Sequence, residues 1–408
     1  ELMDTTLQTS FDFEAIPQRY EVDDLVTFKY QNAALGILGT AERTYFGPSP
    51  VSQEEAIADL KAKVEGQTVR IGTSAYPNAS ITGAFKTADI LREEFGVNVD
   101  FSVQDSDPLV AATIAGEVDV GQLSLSGVAS AVAVGADFVA FGGDDQANSF
   151  LVAAKAPITS MEELRGETVA VTQSLNQITG QTMQKCLATV GMTIDDVSLL
   201  RMAHTGEATQ AIASGQVTGG ISATFRLTQL LLNEGPGSYN ILCSGWESNP
   251  SISSVWYATG DWLAANEDVA LAINIASLMS ARWAQESKEA WIDYAVENVG
   301  ADRLTPEAAA MDYDRLVGEL DMWPVNGSLD RELMDTTLQT SFDFEAIPQR
   351  YEVDDLVTFK YQNQALAVLG TAERTYFAPS PMSQEEAIAD LKAKVEGQTV
   401  RIGTSAYP

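Results

Sequence analysis

The chain carries one histidine, His204, and two cysteines, Cys186 and Cys243. Histidine-based nucleophilic catalysis needs an imidazole positioned by partners, and most zinc sites need several His or Cys ligands. A single histidine per unit excludes multi-histidine metal sites and gives little from which to build a triad. The cysteine spacing fits neither a CxxC redox motif nor a zinc site. Cys186 falls in a helical pattern (GQTMQKCLATVG) and Cys243 ends an apolar strand pattern (YNILC), so two buried free thiols are expected. A disulfide within one lobe is the alternative. Asp and Glu are too abundant for any pair to stand out, so no catalytic residue, metal or cofactor is expected. Asn78-Ala79-Ser80 and Asn326-Gly327-Ser328 match the glycosylation acceptor pattern, which has force only in a protein secreted from a eukaryote.

The acidic excess narrows the partners. Fifty-seven acidic against 24 basic residues give a net charge of −33. Nucleic acid requires a basic footprint, so it is not expected as a partner. Self-repulsion of such a surface favours solubility. No run reaches the about 18 apolar residues of a spanning helix.

The elements that must position any site alternate regularly. Strand patterns at 69–73, 97–103, 118–122 and 138–142 are separated by helical patterns at 81–95, 108–115 and 124–134. A second series has strand patterns at 150–154, 168–171, 197–202, 218–221 and 239–243, with helices near 176–190, 207–214 and 224–233. This βαβ alternation predicts parallel sheets with right-handed crossovers. Extended crossings near Phe150 and Val255 would join two α/β lobes around a cleft. Residues 261–319 read as mostly helical, and 333–340 and 356–369 as helices of a C-terminal extension. Ser383 and Glu386 form a capping box opening a linker helix at 385–395, and the same joint occurs at 52–66.

Residues 1–77 return without a gap as residues 332–408. Five positions differ: Ala33/Gln364, Gly36/Ala367, Ile37/Val368, Gly47/Ala378 and Val51/Met382. An offset of 331 residues far exceeds a solenoid unit of roughly 20–50 residues, so each repeat is a folded module. The division expected is 1–39 as the extension of a preceding repeat and 40–67 as a linker with a helix. A module at 68–370 follows, then a second linker at 371–398 and the start of another repeat at 399–408. Within the module, lobe one takes about 69–150 and 258–330, lobe two about 151–255, and the extension 331–370.

The run VRIGTSAYPNASITGAFKTADILREEFGVNV, followed by QDSDPLVAATIAGEVDVGQLSLSGVASAVAVGADFVAF, resembles the periplasmic solute-binding proteins of ABC importers for taurine, alkanesulfonates, nitrate and thiamine-pyrimidine precursors. The similarity continues through ITSMEELRGETVAV and GEATQAIASGQVTGG to YEVDDLVTFKYQNQALAVLG. It implies an α/β, two-lobed type II binding-protein fold with a hinge, plus the helical extension and linker helix. It implies a small organic anion or zwitterion as ligand, held beyond the strand ends, and an extracellular, periplasmic or cell-surface location. Carried over by position, the ligand contacts would be Ser74, Ala75 and Tyr76 after the first strand, and Gln122, Ser124 and Ser126 at the third. In lobe two they would be Ser174, Asn176, Gln177 and Thr179. Hydroxyls and free N–H groups at helix N-termini suit an anion, although ordinary N-capping would place the same residue types there. The chain departs from the family at Thr218-Gly219-Gly220, where an Asp is usual, and at Ser222-Ala223-Thr224-Phe225-Arg226. Arg226 could clamp an anion; Phe225 and Trp256 could stack on a ligand or pack in the core.

Two functions follow. The near-identical repeats favour a bead of an extracellular or surface filament with head-to-tail contacts between neighbouring copies, the cleft then altered or empty. The other is a conventional importer receptor for a sulfonate, taurine, nitrate or pyrimidine-type ligand.

Overall fold

The computed structural model describes residues 52–74, 78–172, 175, 177–301 and 303–374. Helix 385–395, the two ends of the repeat (1–51 and 375–408) and the assignment of 1–39 to a preceding repeat lie outside them.

Helix α1 (Gln53–Val64) opens on the capping box read from the sequence: the Ser52 hydroxyl accepts from the Glu55 N–H, and Glu55 accepts from the Ser52 N–H. Its Leu60 and Val64 are buried in the same core as the first sheet. Two five-stranded sheets follow. The first is built from β1 (Thr68–Thr73), β2 (Asn98–Val103), β3 (Val120–Leu123), β4 (Phe138–Gly143) and β10 (Val255–Thr259), in the order β2-β1-β3-β10-β4. The second is built from β5 (Phe150–Lys155), β6 (Thr168–Thr172), β7 (Ser198–Met202), β8 (Gly219–Ala223) and β9 (Tyr239–Ser244), in the order β7-β6-β8-β5-β9. Helix α2 (Thr82–Glu93) links β1 to β2, and the short helices α8 (Gly245–Ser248) and α9 (Gly260–Ala265) follow β9 and β10. The chain is therefore α/β with two sheets, each flanked by helices.

The sheets are not wholly parallel, which corrects the expectation. β10 runs antiparallel to β3 and β4, and β5 runs antiparallel to β8 and β9. The cause is connectivity. Parallel neighbours need a crossover connection, whereas β5 and β10 are each reached from the other sheet and enter from the opposite end. The two crossings are also tied together. The Ser253 and Ser254 N–H groups donate to the Asp145 carbonyl (3.0 and 3.1 Å), and Asn148 Nδ2 donates to the Asn249 carbonyl (2.9 Å).

In the second sheet Cys186, on helix α5 (Ile178–Ala188), is bonded to Cys243 on β9, closing a loop across 57 positions. This overturns the expectation of free thiols. The helix and strand face one another in the core, so the two sulfurs meet although nothing in their sequence spacing announces it.

Trp256 is fully buried in the first core, so it packs and does not stack on a ligand. Helices α10 (Glu267–Glu286), α11 (Lys288–Val299) and α12 (Pro306–Tyr313) continue the chain, with Trp291 and Tyr313 edge to face at 5.3 Å in a further core. Trp291→Ala is expected to cost about 3–5 kcal/mol of stability; urea unfolding checks it, and a loss under about 1 kcal/mol would contradict this packing.

The extension 331–374 lies on the first sheet's side. Helix α13 (Arg331–Asp343) packs against α4 (Leu125–Ala133), burying Met334 and Leu338. The single helix expected at 356–369 is instead two: α14 (Val353–Leu356) and α15 (Lys360–Leu369). Between them Val357 pairs with Ala140 at the edge of β4, and the Thr358 N–H donates to the Ala140 carbonyl at 2.8 Å. The β-branched Val357–Thr358 pair suits that extended bridge better than a helix turn. The Asn326 side chain is engaged with the backbone of Ala372 in both directions (2.8 and 3.1 Å), so it serves as an anchor of the extension.

Candidate functional site

A cleft of about 800 Å³ lies between the two sheets. It is lined by the segments that follow the carboxyl ends of the parallel strands: Ser74 after β1, Ser106 and Asp107 after β2, Ser124 after β3. From the second sheet come Thr172 at the end of β6, His204 after β7, and Phe225 and Arg226 after β8. Ligands of open α/β sheets bind at this edge. Several helices also begin there: α3 (Ser106–Ile114), α4, α5, α6 (Thr205–Ala213) and α7 (Thr224–Glu234). Their N-termini make the cleft favourable for negative charge.

The hydroxyls and amides singled out in the sequence reach this cleft, but most are already engaged. Ser124 caps α4, its Oγ accepting from the Gly127 N–H at 3.1 Å. Ser126 Oγ is 2.8 Å from Ser341 Oγ of the extension. Gln122 is buried: its Oε1 accepts from Thr73 Oγ1, and its Nε2 donates to the Asp144 carboxylate and to Ser254 Oγ at 3.3 Å. It therefore positions the hinge more than it faces a ligand. Thr179 and Thr172 share a 2.6 Å hydroxyl hydrogen bond. Ser74 donates its backbone N–H to the Gln122 carbonyl at 3.4 Å and lines the cleft beside it. Gln177 lines the cleft at the start of α5. Ala75, Tyr76, Ser174 and Asn176 lie outside the described residues.

Arg226 stands apart. Its guanidinium sits 5.0 Å from the Phe225 ring centroid and is half-buried, and its Nε is buried without a hydrogen-bond partner. Burial lowers its pKa from the usual arginine value, yet an arginine stays charged at any ordinary pH. Gly206, in the first turn of α6, gives it room: a Cβ there would come within 2.9 Å of Nη1. A half-buried cation with no ion-pair partner among the described residues suits an anion.

Sequence reasoning missed the opposite wall. Asp144 and Asp145 follow β4 at the crossing between the sheets, both buried. Asp145 accepts from Trp323 Nε1 at 2.9 Å and lines the cleft. Burial raises the Asp144 pKa despite hydrogen bonds from Gln122 and Ser254, and burial with the neighbouring Asp144 charge raises that of Asp145. Adjacent buried carboxyls with no cation on them retain a proton near neutrality. In so acidic a chain nothing marked this pair out. Among the described lining residues the carboxylates Asp107 and Glu345 and the protonated Asp145 belong to the first sheet's side and the extension, whereas Arg226 belongs to the second sheet's side. The cleft is electrically polarised across its width.

A third buried acid lies outside the cleft. Asp312 on α12 is fully buried against α7, and burial raises its pKa to about 7, opposed by Thr228 and the Arg315 charge. Its folded pKa exceeds the ordinary aspartate value of 3.8, so the folded state binds the extra proton. Its stabilising contribution is complete below 3.8 and is lost as pH rises to about 7. Urea unfolding is therefore expected to show greater stability at about pH 5 than at about pH 8, with a smaller difference in Asp312→Asn. An unchanged difference in the variant would contradict the assignment.

Residues 73–290 match the sequence pattern of the family described as ABC transporter, phosphonate, periplasmic substrate-binding protein. The chain belongs to that family. A type II solute-binding fold agrees with its structural neighbours. The aliphatic sulphonate-binding protein SsuA of Escherichia coli is 16% identical over 72% of this chain and 92% of its own, with a TM-score of 0.59. The periplasmic sulfonate-binding protein SsuA of Methylobacillus flagellatus is 16% identical over 84% of this chain and 100% of its own, also at 0.59. The nitrate-binding protein NrtA of Synechocystis is 12% identical over 78% of this chain and 92% of its own, at 0.60. At these identities the likeness concerns the fold. No curated protein sequence matches the chain. Family membership makes it a periplasmic solute-binding protein, and no helix among the described residues is long and apolar enough to cross a membrane.

Proposed function

We propose that the chain is a binding receptor for a small phosphonate, sulfonate or related acid, passing it to the permease of an ABC importer. The observation that carries this reading is Arg226, a half-buried guanidinium with no ion-pair partner among the described residues, lining the cleft among converging helix N-termini. The ligand's acid group bridges Arg226 and the N-terminal turns of α6 and α7. A cationic or hydrogen-bond-donating end faces the Asp107 carboxylate, with the protonated Asp145 beside it as a hydrogen-bonding group, so a zwitterion fits the polarised cleft better than a bare anion. Ser74, Ser124 and Thr179 contribute at the rim with part of their hydrogen-bonding capacity, while Gln122 and Ser126 act through the hinge and the extension. Catalysis has no support: His204 caps α6, its Nδ1 accepting from the Glu207 N–H at 3.3 Å, and its Nε2 lies 3.9 Å from the carboxylate of the same exposed Glu207. The family's periplasmic receptors lend the reading weight.

Thermal unfolding of the full chain with millimolar methylphosphonate, ethanesulfonate, taurine, nitrate and a pyrimidine tests it. A ligand that binds only the folded state raises Tm, by an amount that grows with the logarithm of its concentration above Kd. A shift with the phosphorus or sulfur acids is expected, and no shift with any member of the panel would overturn the reading.

A second reading rests on the repeat of 1–77 as 332–408. Residues 68–370 would then be one receptor-fold module among copies joined by short linkers, with 1–39 belonging to a neighbouring module. A binding cleft and such an arrangement are compatible.

A further inference from the structure

The described extension shows what residues 332–374 do, and the sequence holds a second copy of them at 1–43. The extension is a docked segment. Met334, Leu338, Ile347, Tyr351, Leu356 and Tyr361 bury their side chains against α4, β4, β10 and α10. Polar anchors fix its register. Thr337 Oγ1 accepts from the Ile252 N–H at 3.0 Å, Gln362 Oε1 accepts from the Leu329 N–H at 3.0 Å, and Ser341 meets Ser126. The Arg374 guanidinium donates to the carbonyls of Val317 and Gly318 at 2.8 and 2.7 Å.

Every one of these residues recurs at the same spacing: Met3, Leu7, Ile16, Tyr20, Leu25 and Tyr30, with Thr6, Gln31, Ser10 and Arg43 as the polar anchors. The three differences in this stretch are Ala33/Gln364, Gly36/Ala367 and Ile37/Val368. Gln364 and Ala367 are exposed, and Val368 is half-buried and exchanged for another β-branched apolar residue. Substitutions of this kind leave the docking face unchanged. We propose that residues 1–43 are a second docking segment for the same groove, able to seat in trans on a second copy of this module whose own extension is undocked. The groove thus has two chemically equivalent claimants. Which one occupies it is set by effective concentration, which favours the covalently adjacent 332–374 in its own module. One-way docking of this kind is heterologous and can extend from copy to copy. Docking in trans rests on the same repeat as the module reading above, but separate chains test it, so it can fail or hold whether or not modules are covalently joined.

The 2.8 Å approach of Ser126 to Ser341 supplies the test, because cysteines at such a pair are within reach of a disulfide. Ser341 corresponds to Ser10. A full-length donor carrying Ser10→Cys is mixed, under mild oxidation, with a full-length acceptor carrying Ser126→Cys, Leu338→Asp and Leu7→Asp. The acceptor's groove is vacated and its own first segment disabled. A covalent donor–acceptor dimer is expected on a non-reducing gel, and its yield should fall about tenfold when the donor carries Leu7→Asp, since a buried charge opposes docking. Should the triple acceptor fail to fold, an acceptor carrying Ser126→Cys alone reports the same dimer, accumulating over hours of exchange. Chain carrying Ser126→Cys and Ser341→Cys together, linked within itself, confirms that the geometry permits the bond. No donor–acceptor dimer with either acceptor, or equal yield from the Leu7→Asp donor, would overturn the proposal.

Discussion

Arg226→Ala is expected to weaken binding of the recognised phosphonate or sulfonate about a hundredfold while leaving the fold at least as stable. Removing a charge-assisted hydrogen bond from a desolvated site costs about 1.5–3 kcal/mol, and each ~1.4 kcal/mol is a factor of ten in affinity. The stability half of the expectation separates function from architecture. Arg226 has no ion-pair partner among the described residues and a buried Nε without a hydrogen bond, so the folded chain gains little from its charge. A structural arginine would show the opposite pattern, with stability reduced and affinity kept. Arg226→Lys keeps the charge but not the planar fork, so it should fall between the wild type and alanine. Calorimetric titration paired with urea unfolding on the three proteins reads both halves.

Removing the disulfide should lower stability substantially. With Cys186 and Cys243 both replaced by serine, the chain regains the freedom of a loop spanning 57 positions. Loop-closure entropy puts the cost at about 4 kcal/mol. The effect concerns the second sheet, where the bond ties α5 to β9, so unfolding should become less cooperative as that lobe loosens first. Affinity measured well below the lowered Tm should change little, because neither sulfur lines the cleft. Thiol titration of the unfolded native chain without reductant gives an independent check: no reactive thiol is expected. Two thiols, together with unchanged stability in the double-serine protein, would contradict the bond.

The alternation of strands and helices is legible in the sequence because hydrophobic period and turn residues act locally. The pattern around β1 to β4 and the capping box of α1 follow from residues within a few positions of one another. Other features are not legible, each for a physical reason. Antiparallel entry of β5 and β10 depends on where the chain comes from, and a buried strand such as β8 has the same composition in either direction. The break at Val357–Thr358 depends on an unpaired edge at Ala140, far away in sequence. The disulfide depends on two elements packing face to face.

The site divides in the same way. The strand-end hydroxyls are legible as positions, since capping chemistry and anion binding draw on the same residue types at helix starts. What distinguishes them is whether a neighbour already uses the hydroxyl, as with Ser126 and Ser341, and that is tertiary information. Arg226 is legible only as a candidate, because an exposed helix arginine reads identically until burial is known. Asp144 and Asp145 give no signal against 57 acidic residues. Their importance lies in Gln122, Ser254 and Trp323 closing around them at the crossing between the sheets.

If this cleft holds a small acid by Arg226, any amino group is turned toward Asp107 on the opposing wall. A crystal structure of the full chain grown with an aminoalkyl sulfonate or phosphonate tests it most directly. The acid oxygens are expected within hydrogen-bonding distance of the Arg226 guanidinium, and the amine on the side of Asp107 and Asp145. A ligand bound in the reverse orientation, or a cleft left empty at saturating ligand, would contradict it.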